Sequence, residues 1–343
     1  MTIPTQDEKT TAANGPTQTM RAAVYERYGR PEEVLEVREV PRPIPDADQV
    51  LVRVAAASVQ PLDWHLLTGT PFAFRPTFGF PRPKRHIPGA DMAGTVESVG
   101  ADVTRFAPGD EVFAEIPGGG LAEYVVVSER NLVSKPANID LEEAAAIGVA
   151  GLTALQGLRD WGRMKPGDQV LINGASGGVG TFAIQIAKTL GGVVTAVCST
   201  GNVGMAHALG ADVVIDYKKD DFVTAGGRYD IFFDGVGNRT LRECIAVLEP
   251  DGIYVAISGP KPPWFGPVPR LLAAAVRFRF VSQRLSAFKT AEQSTEDLIF
   301  IKNLIEAGKV RPVIDRSFTL AEAPAALAYL GEGHAKGKVI VSL

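Results

Sequence analysis

The stretch VLINGASGGVGTFAIQIAKTLG, residues 170–191, decides the fold. An apolar run, Val170 to Asn173, passes straight into a turn of small residues, and the turn opens a segment whose Val179, Ala183, Ile186 and Leu190 recur at helical spacing. Ala175, Gly177 and Gly180 stand at the three positions of a G-x-G-x-x-G fingerprint, with alanine in place of the first glycine and Ser176, Gly178 and Val179 between them. Small residues let the backbone approach a pyrophosphate, whose charge is then met by free helix N-terminal amides and the positive end of the helix dipole. A tight turn that binds nothing is the plain alternative. The strand before, the helix after and a second apolar strand ending about twenty residues further on favour a dinucleotide.

Working outward, the runs Val193–Cys198, Val213–Ile215, Tyr229–Asp234 and Ile253–Ile257 are nearly all apolar and alternate with helical segments. Strands covered on both faces read this way, so a doubly wound parallel sheet is expected. RFRFVS (277–282) alternates like an edge strand, and TEDLIFIKNLIEAGK (295–309) predicts a helix with Leu298, Ile301 and Ile305 on one face. From Met20 to about Val133 the chain instead offers short Val-rich runs bounded by Gly, Pro and Asp, the pattern of antiparallel strands in a barrel-like unit. The final RSFTLAEAPAALAYLGEGHAKGKVIVSL returns to strand, helix and strand.

A chain of 343 residues is too long for one hydrophobic core and predicts two compact domains. The net charge of -4 gives no basic footprint for nucleic acid. Cys198 and Cys244, each in an apolar segment, supply neither a disulfide framework nor a clustered metal site, which suits a reducing cytoplasm. Residues 1–19 are polar, lack the apolar core of a signal peptide and read as a disordered tail. LLAAAVRFRF (271–280) carries two arginines and is much shorter than the ~20 residues a spanning helix needs, so no membrane insertion is expected.

The second strand of the parallel unit ends in VVTAVCSTGN, without the acid that NAD enzymes place against the ribose 2′-hydroxyl. Ser199, Thr200 and Asn202 offer hydrogen-bonding groups there, and Tyr217 and Lys218 follow the third strand. Absence of a carboxylate leaves room for a 2′-phosphate, so NADPH is the expected cofactor. Ser199 and Thr200 read equally as caps of the next helix.

The motifs VQPLDW, HIPGADMAGTVESVG, FAPGDEVFA, GGLAEYVVV, AAAIGVAGLTAL, KPGDQVLINGASGGVG, LGADVVIDY, YDIFFDGVG and GKVIVSL occur in this order from Met20 to Leu343. Together they resemble the medium-chain dehydrogenase/reductase superfamily, specifically its zinc-free quinone oxidoreductase branch. The resemblance implies an α/β chain: a GroES-like β-barrel catalytic domain over residues 20–145, completed by 290–343, and a Rossmann domain over 146–289, with the active site where they meet. The zinc-dependent branch carries a catalytic cysteine, a Gly-His-Glu motif and a four-cysteine lobe. Here Gln60 stands at the cysteine position, Gly89-Ala90-Asp91 replaces Gly-His-Glu, and only IPGGG lies where the lobe would be, so no metal is expected.

Without a Lewis acid the readier reaction is hydride transfer to a small molecule that is already electrophilic, a quinone or an α,β-unsaturated carbonyl. The alternatives are a zinc-free alcohol or enoyl reductase acting on a specialised metabolite, and an NADPH-binding protein without turnover. The branch usually reads Asn-Pro-x-Asp with a tyrosine two residues on; this chain has Gln60 and His65 at those positions. Gln60 keeps an amide for the cleft beside the nicotinamide. His65 is a candidate proton donor, or packs on Trp64 or donates to a backbone carbonyl. Asp63 orients either of them, or caps the helix of LDWHLLTG. The resemblance also places Thr153 near the nicotinamide and Lys338 over the cofactor, where a solvated terminal lysine is the alternative. Gly235 and Gly237 fall at the carboxyl end of the fourth strand, as cofactor contacts or simply as a turn. Phe72, Phe74, Phe78, Trp264 and Phe265 lie in two Pro-rich loops and either form a flat apolar pocket or pack the loops onto the domains. The edge strand predicts a homodimer joined through the Rossmann sheets.

Overall fold

A computed structural model describes residues 18–259, 264–286 and 291–343. The tail read over residues 1–19 lies outside these as far as residue 17, and Thr19 is already in a strand. The chain begins with β1 (Thr19–Val24), a short helix α1 (Pro31–Val34) and β2 (Glu36–Pro41). β3 (Gln49–Val59) runs into α2 (Pro61–Thr68), followed by a short α3 (Arg75–Phe78), β4 (Asp91–Val99), β5 (Glu111–Glu115), β6 (Tyr124–Ser128) and β7 (Val133–Ser134). Helices α4 (Leu141–Ala145) and α5 (Gly148–Gln156) lead to β8 (Gln169–Asn173), α6 (Gly178–Thr189), β9 (Val193–Cys198), α7 (Val203–Ala208) and β10 (Val213–Asp216). Then come β11 (Tyr229–Asp234), α8 (Leu241–Ala246), β12 (Leu248–Ala256), α9 (Val268–Arg277) and β13 (Arg284–Ser286). The chain closes with α10 (Thr295–Glu306), β14 (Ile314–Thr319), α11 (Ala323–Gly331) and β15 (Lys338–Ser342).

Six parallel strands lie in the order β10-β9-β8-β11-β12-β13. Winding reverses between β8 and β11, and ligands of such sheets bind outside the carboxyl ends of the strands at that switch point. Asn173 and Asp234, the last residues of β8 and β11, pair there in register. A seven-stranded sheet runs β14-β15-β3-β4-β5-β7, with β6 also on β3, so the C-terminal strands complete the N-terminal β unit, while β1 and β2 pair as a separate two-stranded sheet.

Three expectations change. RFRFVS is not an edge strand: Arg277 ends α9, Phe278–Phe280 is a 3-10 turn, and the edge strand is Arg284–Ser286. Alternation of Arg and Phe suits a strand, but Ala274 and Phe278, four apart, are buried together, and Phe278 stacks on Tyr254 at 5.9 Å, which keeps this segment helical. The helix from Thr295 stops at Glu306 rather than 309, where Gly308 takes φ +68°. The sheet face of α6 is wider than the predicted stripe: Phe182, Ile184 and Ala187 are fully buried beside Ala183 and Ile186, while Val179 and Leu190 are half-buried. Packing against both the sheet and α5 accounts for this, and each fully buried Phe or Ile contributes about 1.5–3 kcal/mol.

The two units also share a core. One cluster of buried side chains runs from Ala93 and Phe113 of the antiparallel sheet through Ile147 and Leu152 to Val170 of the parallel sheet and Phe182 of α6. The run Ala144–Ala146 carries only methyl groups, so α4 lies close on β3, β4 and β5 while α5 reaches β4, β5 and α6.

Candidate active site

The glycine turn after β8 is built for close approach. Gly174 takes φ +84°, a left-handed conformation that disfavours any side chain. A Cβ on Gly180 would overlap the Gly174 carbonyl oxygen and lie 2.8 Å from Ala175 Cα, so α6 meets the turn only with glycine there. A Cβ on Gly177, the extended N-cap of α6, would meet only the Gly174 carbonyl oxygen, at 3.5 Å. The first intrahelical bond runs from Thr181 N–H to Gly177 C=O at 2.9 Å, so the Gly178, Val179 and Gly180 amides have no acceptor within the helix. Ala175 is fully buried, and the Ser176 carbonyl accepts the Gly337 N–H at 2.9 Å, which docks the start of β15 on the turn.

That docking carries Lys338 into the junction. Its stem packs on Gly178, 2.9 Å from where a Cβ would be, and its ammonium donates to Asp91 Oδ2 at 3.1 Å. The side chains of Lys338 and Asp91 are 4% and 1% exposed, so the reading of Lys338 as a solvated chain end is corrected. Ser58 Oγ donates to the same Asp91 oxygen at 2.9 Å, and Asp91 Oδ1 accepts the Val149 N–H at 2.8 Å, capping α5. One carboxylate therefore joins β3, β4, β15 and α5. The sequence signal was an acid inside an apolar strand, and its partners lie far away in the chain.

Val339 pairs with Val59 across the β15–β3 ladder, so one step further Lys338 comes level with Gln60. Gln60 is 4% exposed, and its Nε2 is buried without a hydrogen-bond partner among the described residues. Such an unpaired donor costs about 1–3 kcal/mol, which a ligand oxygen would offset.

Asp63 does not orient His65. Its Oδ2 accepts the Gln60 N–H at 3.0 Å and its Oδ1 the Gly89 N–H at 2.9 Å, so it caps α2 and fixes the Gly89 turn. Burial, then the two N–H bonds and the neighbouring Asp91 charge acting in opposite senses, leave its carboxyl raised to about 6. It is a positioning residue. His65 is half-buried; its Nδ1 bonds the Thr70 carbonyl at 2.8 Å and its ring meets Trp64 edge-on at 5.2 Å, the two contacts expected of a packing role.

Glu115 was not singled out from the sequence. It pairs with Asp91 across the β4–β5 ladder, which puts both side chains on one face, and its Oε2 is buried without a partner among the described residues. Burial, then the Asp91 charge, pushes its carboxyl up to about 7. A carboxyl raised on folding contributes stability that is fully present below its unfolded value and is lost as pH rises towards 7. Glu115→Gln is therefore expected to melt at the wild-type temperature near pH 4 and roughly 2–4 °C above it at pH 8. A difference that stays flat between these pH values contradicts this reading.

At the carboxyl ends of β8 and β11, Asp234 organises the turn that contains Gly235 and Gly237. Its Oδ1 accepts from Asn173 Nδ2 and Gly237 N, both at 2.9 Å, and its Oδ2 accepts from Tyr254 Oη at 2.7 Å. Gly235 N–H donates to the Asn173 carbonyl, and Gly237 takes φ +70°, so both glycines serve the turn. Thr153 is buried in α5.

At the end of β9, Ser199 precedes the 3-10 turn Thr200–Asn202; Asn202 Nδ2 donates to Ser199 Oγ at 3.1 Å, and among the described residues no side chain caps the backbone N–H groups of this turn. Tyr217 is exposed with Lys218 over its ring at 5.4 Å. An acid does arrive here, from the third strand rather than the second: Asp216 pairs with Cys198 across the β9–β10 ladder. Burial works against its charge, but the Thr200 hydroxyl, the Lys218 N–H and Lys219 hold its carboxyl below the usual range.

The two aromatic loops meet. Phe72 and Trp264 pack edge to face at 5.3 Å, Ala73 N–H donates to the Trp264 carbonyl, and Phe74 stacks on Phe78 at 6.1 Å. Phe265 stays exposed. Among the described residues no group of three or more His, Cys, Asp or Glu is placed to hold a metal ion.

A glycine turn at the switch point of a doubly wound sheet, with Lys338 packed on it and the buried Gln60 amide level with that lysine, has the layout of a dinucleotide-dependent oxidoreductase. Two family models match: the alcohol dehydrogenase GroES-like domain over residues 46–137, and the zinc-binding dehydrogenase over residues 209–341. The chain is 36% identical over 335 residues to the chloroplast envelope quinone oxidoreductase homolog of Arabidopsis thaliana, covering 94% of this chain and 98% of that protein. It is 33% identical to the chloroplastic NADPH-dependent alkenal/one oxidoreductase of the same plant, over 94% of this chain and 79% of the relative. The quinone oxidoreductase structure from Coxiella burnetii superimposes with a TM-score of 0.81 at 29% identity, covering 95% of this chain and all of that one. The chain belongs to the medium-chain dehydrogenase/reductase superfamily, in its zinc-free quinone oxidoreductase branch. It is an oxidoreductase of that type, using a nicotinamide cofactor on a small molecule.

Proposed function

We infer that the protein is an NADPH-dependent reductase that delivers hydride to a quinone or an α,β-unsaturated carbonyl without a metal. The observation that carries this reading is the unpartnered, buried Gln60 amide, level with Lys338 beside the glycine turn. NADPH would supply the hydride, and solvent the proton that completes the reduction. The turn Ala175–Gly180 holds the pyrophosphate, with Gly235 and Gly237 across the switch point and Thr153 on the nicotinamide side. Gln60 Nε2 donates to the acceptor oxygen, where charge develops as hydride arrives. Asp63 sets the angle of Gln60, and His65 packs.

Two substitutions test these roles. Gln60→Leu is expected to lower kcat about tenfold to a hundredfold with the NADPH dissociation constant within threefold of wild type. Unchanged kcat with weakened NADPH binding would move Gln60 to the cofactor instead. His65→Phe is expected to lower the melting temperature and leave kcat within about twofold; a large fall in turnover at unchanged NADPH affinity would restore it as the proton donor.

For NADPH over NADH, Ser199, Thr200, Asn202 and Tyr217 line the adenosine side, and Lys218 adds a cation for a 2′-phosphate. Asp216 favours a ribose hydroxyl, but Lys219 Nζ stands 3.6 Å from it and answers its charge. A kcat/KM ratio for NADPH over NADH above about ten supports the phosphate reading; a ratio below one assigns Asp216 to the ribose. The three-residue β13 at the sheet edge supports a homodimer, which light scattering would report as twice the 36.5 kDa chain. Two unpaired buried cysteines suit the cytoplasm.

A further inference from the structure

α9 is amphipathic in a sense opposite to a buried helix. Arg270, Ala274 and Phe278 form its inner line: Arg270 donates to Tyr254 Oη at 3.2 Å, Ala274 is 2% exposed and Phe278 stacks on Tyr254. Two residues out of phase, on the far side, Leu272, Val276 and Phe280 are 66%, 60% and 81% exposed. Trp264 and Phe265, just before the helix, are 65% and 59% exposed. Three large apolar residues spaced four apart make a continuous ridge rather than a scatter.

Two arginines stand beside the ridge near its C-terminal end. Arg277 and Arg279 flank it, both exposed, and among the described residues neither pairs with a carboxylate. From Gly252 to Ala291 the sequence holds no Asp or Glu. Arg284 is answered by Asp251 at 3.5 Å and takes no part.

We propose that this ridge is a membrane-docking surface, by which the protein adsorbs on an anionic lipid headgroup layer without crossing it. An exposed apolar stripe flanked by arginines matches that layer twice over: the side chains enter the acyl boundary and the guanidiniums meet the phosphates. No described helix is long and apolar enough to span, so the helix lies in the interface plane. A second copy is the weaker occupant. A ridge of nine residues, eight helical steps, is about 12 Å long and projects outward, whereas a stable dimer takes about 800 Å² from each partner.

The test is flotation of the full-length protein with vesicles of phosphatidylcholine alone or with roughly one third phosphatidylglycerol, at low and high salt. Binding is expected to the anionic vesicles at low salt and to fall at least tenfold with neutral lipid or high salt. Leu272→Asp combined with Val276→Asp should lower binding at least tenfold while melting temperature and NADPH oxidation with a water-soluble quinone stay at wild-type values. Arg277→Gln combined with Arg279→Gln should remove the preference for anionic lipid. The proposal is overturned if anionic vesicles float no protein, if the Asp variant binds like wild type, or if that variant turns a dimer into monomers while wild type ignores vesicles.

Discussion

Asp91→Asn is expected to destabilise the protein by about 3–5 kcal/mol, because it leaves the buried Lys338 ammonium without its counter-charge. Asparagine can still accept the Val149 N–H, so the loss isolates the ion pair from the α5 cap. Removing both charges should be far milder: Lys338→Met in the Asp91→Asn background is expected to recover most of the stability, since a buried pair and an apolar replacement differ little in free energy. Urea unfolding of the two single variants and the double variant measures this. Losses that add would show that the pair does not couple β4 to β15.

Gly180→Val is expected to lower NADPH affinity at least a thousandfold. The new side chain would overlap the Gly174 carbonyl and crowd Ala175, both backbone of the turn, so α6 must withdraw and its free amides leave the pyrophosphate position. Gly204→Ala is the companion control, because a Cβ there meets open space and the position lies in no part of the cofactor site described above. Fluorescence titration of both variants is decisive: the control should bind like wild type, and tight binding by Gly180→Val would mean that the turn is not the phosphate site.

The parallel unit was legible because its signals are local. A strand buried on both faces is apolar throughout, and the Gly174–Gly180 turn needs small residues within seven positions. The junction was not legible in this way. Asp91, Ser58, Val149 and Lys338 meet only after β15 returns to β3, and a lysine near the C-terminus looks the same whether solvated or buried. Glu115 is similar: its raised carboxyl comes from burial and a cross-strand neighbour, neither of which its own segment announces. The absence of an acid at the end of β9 was correctly read, yet Asp216 reaches the same place from β10. The RFRFVS segment shows the limit of periodicity, since its alternation fits a strand and its Phe278 also fits a helix turn below Ala274. Gln60 could be named from the motif, but only the fold shows its amide buried and unpartnered.

The most direct measurement is anaerobic mixing of chelator-treated protein with NADPH and a panel of quinones and α,β-unsaturated carbonyls, followed at the absorbance of the reduced nicotinamide. Oxidation of NADPH by at least one acceptor, at a rate unchanged by chelation, is the predicted result. No oxidation across the panel, or activity that returns only with added zinc, would contradict it.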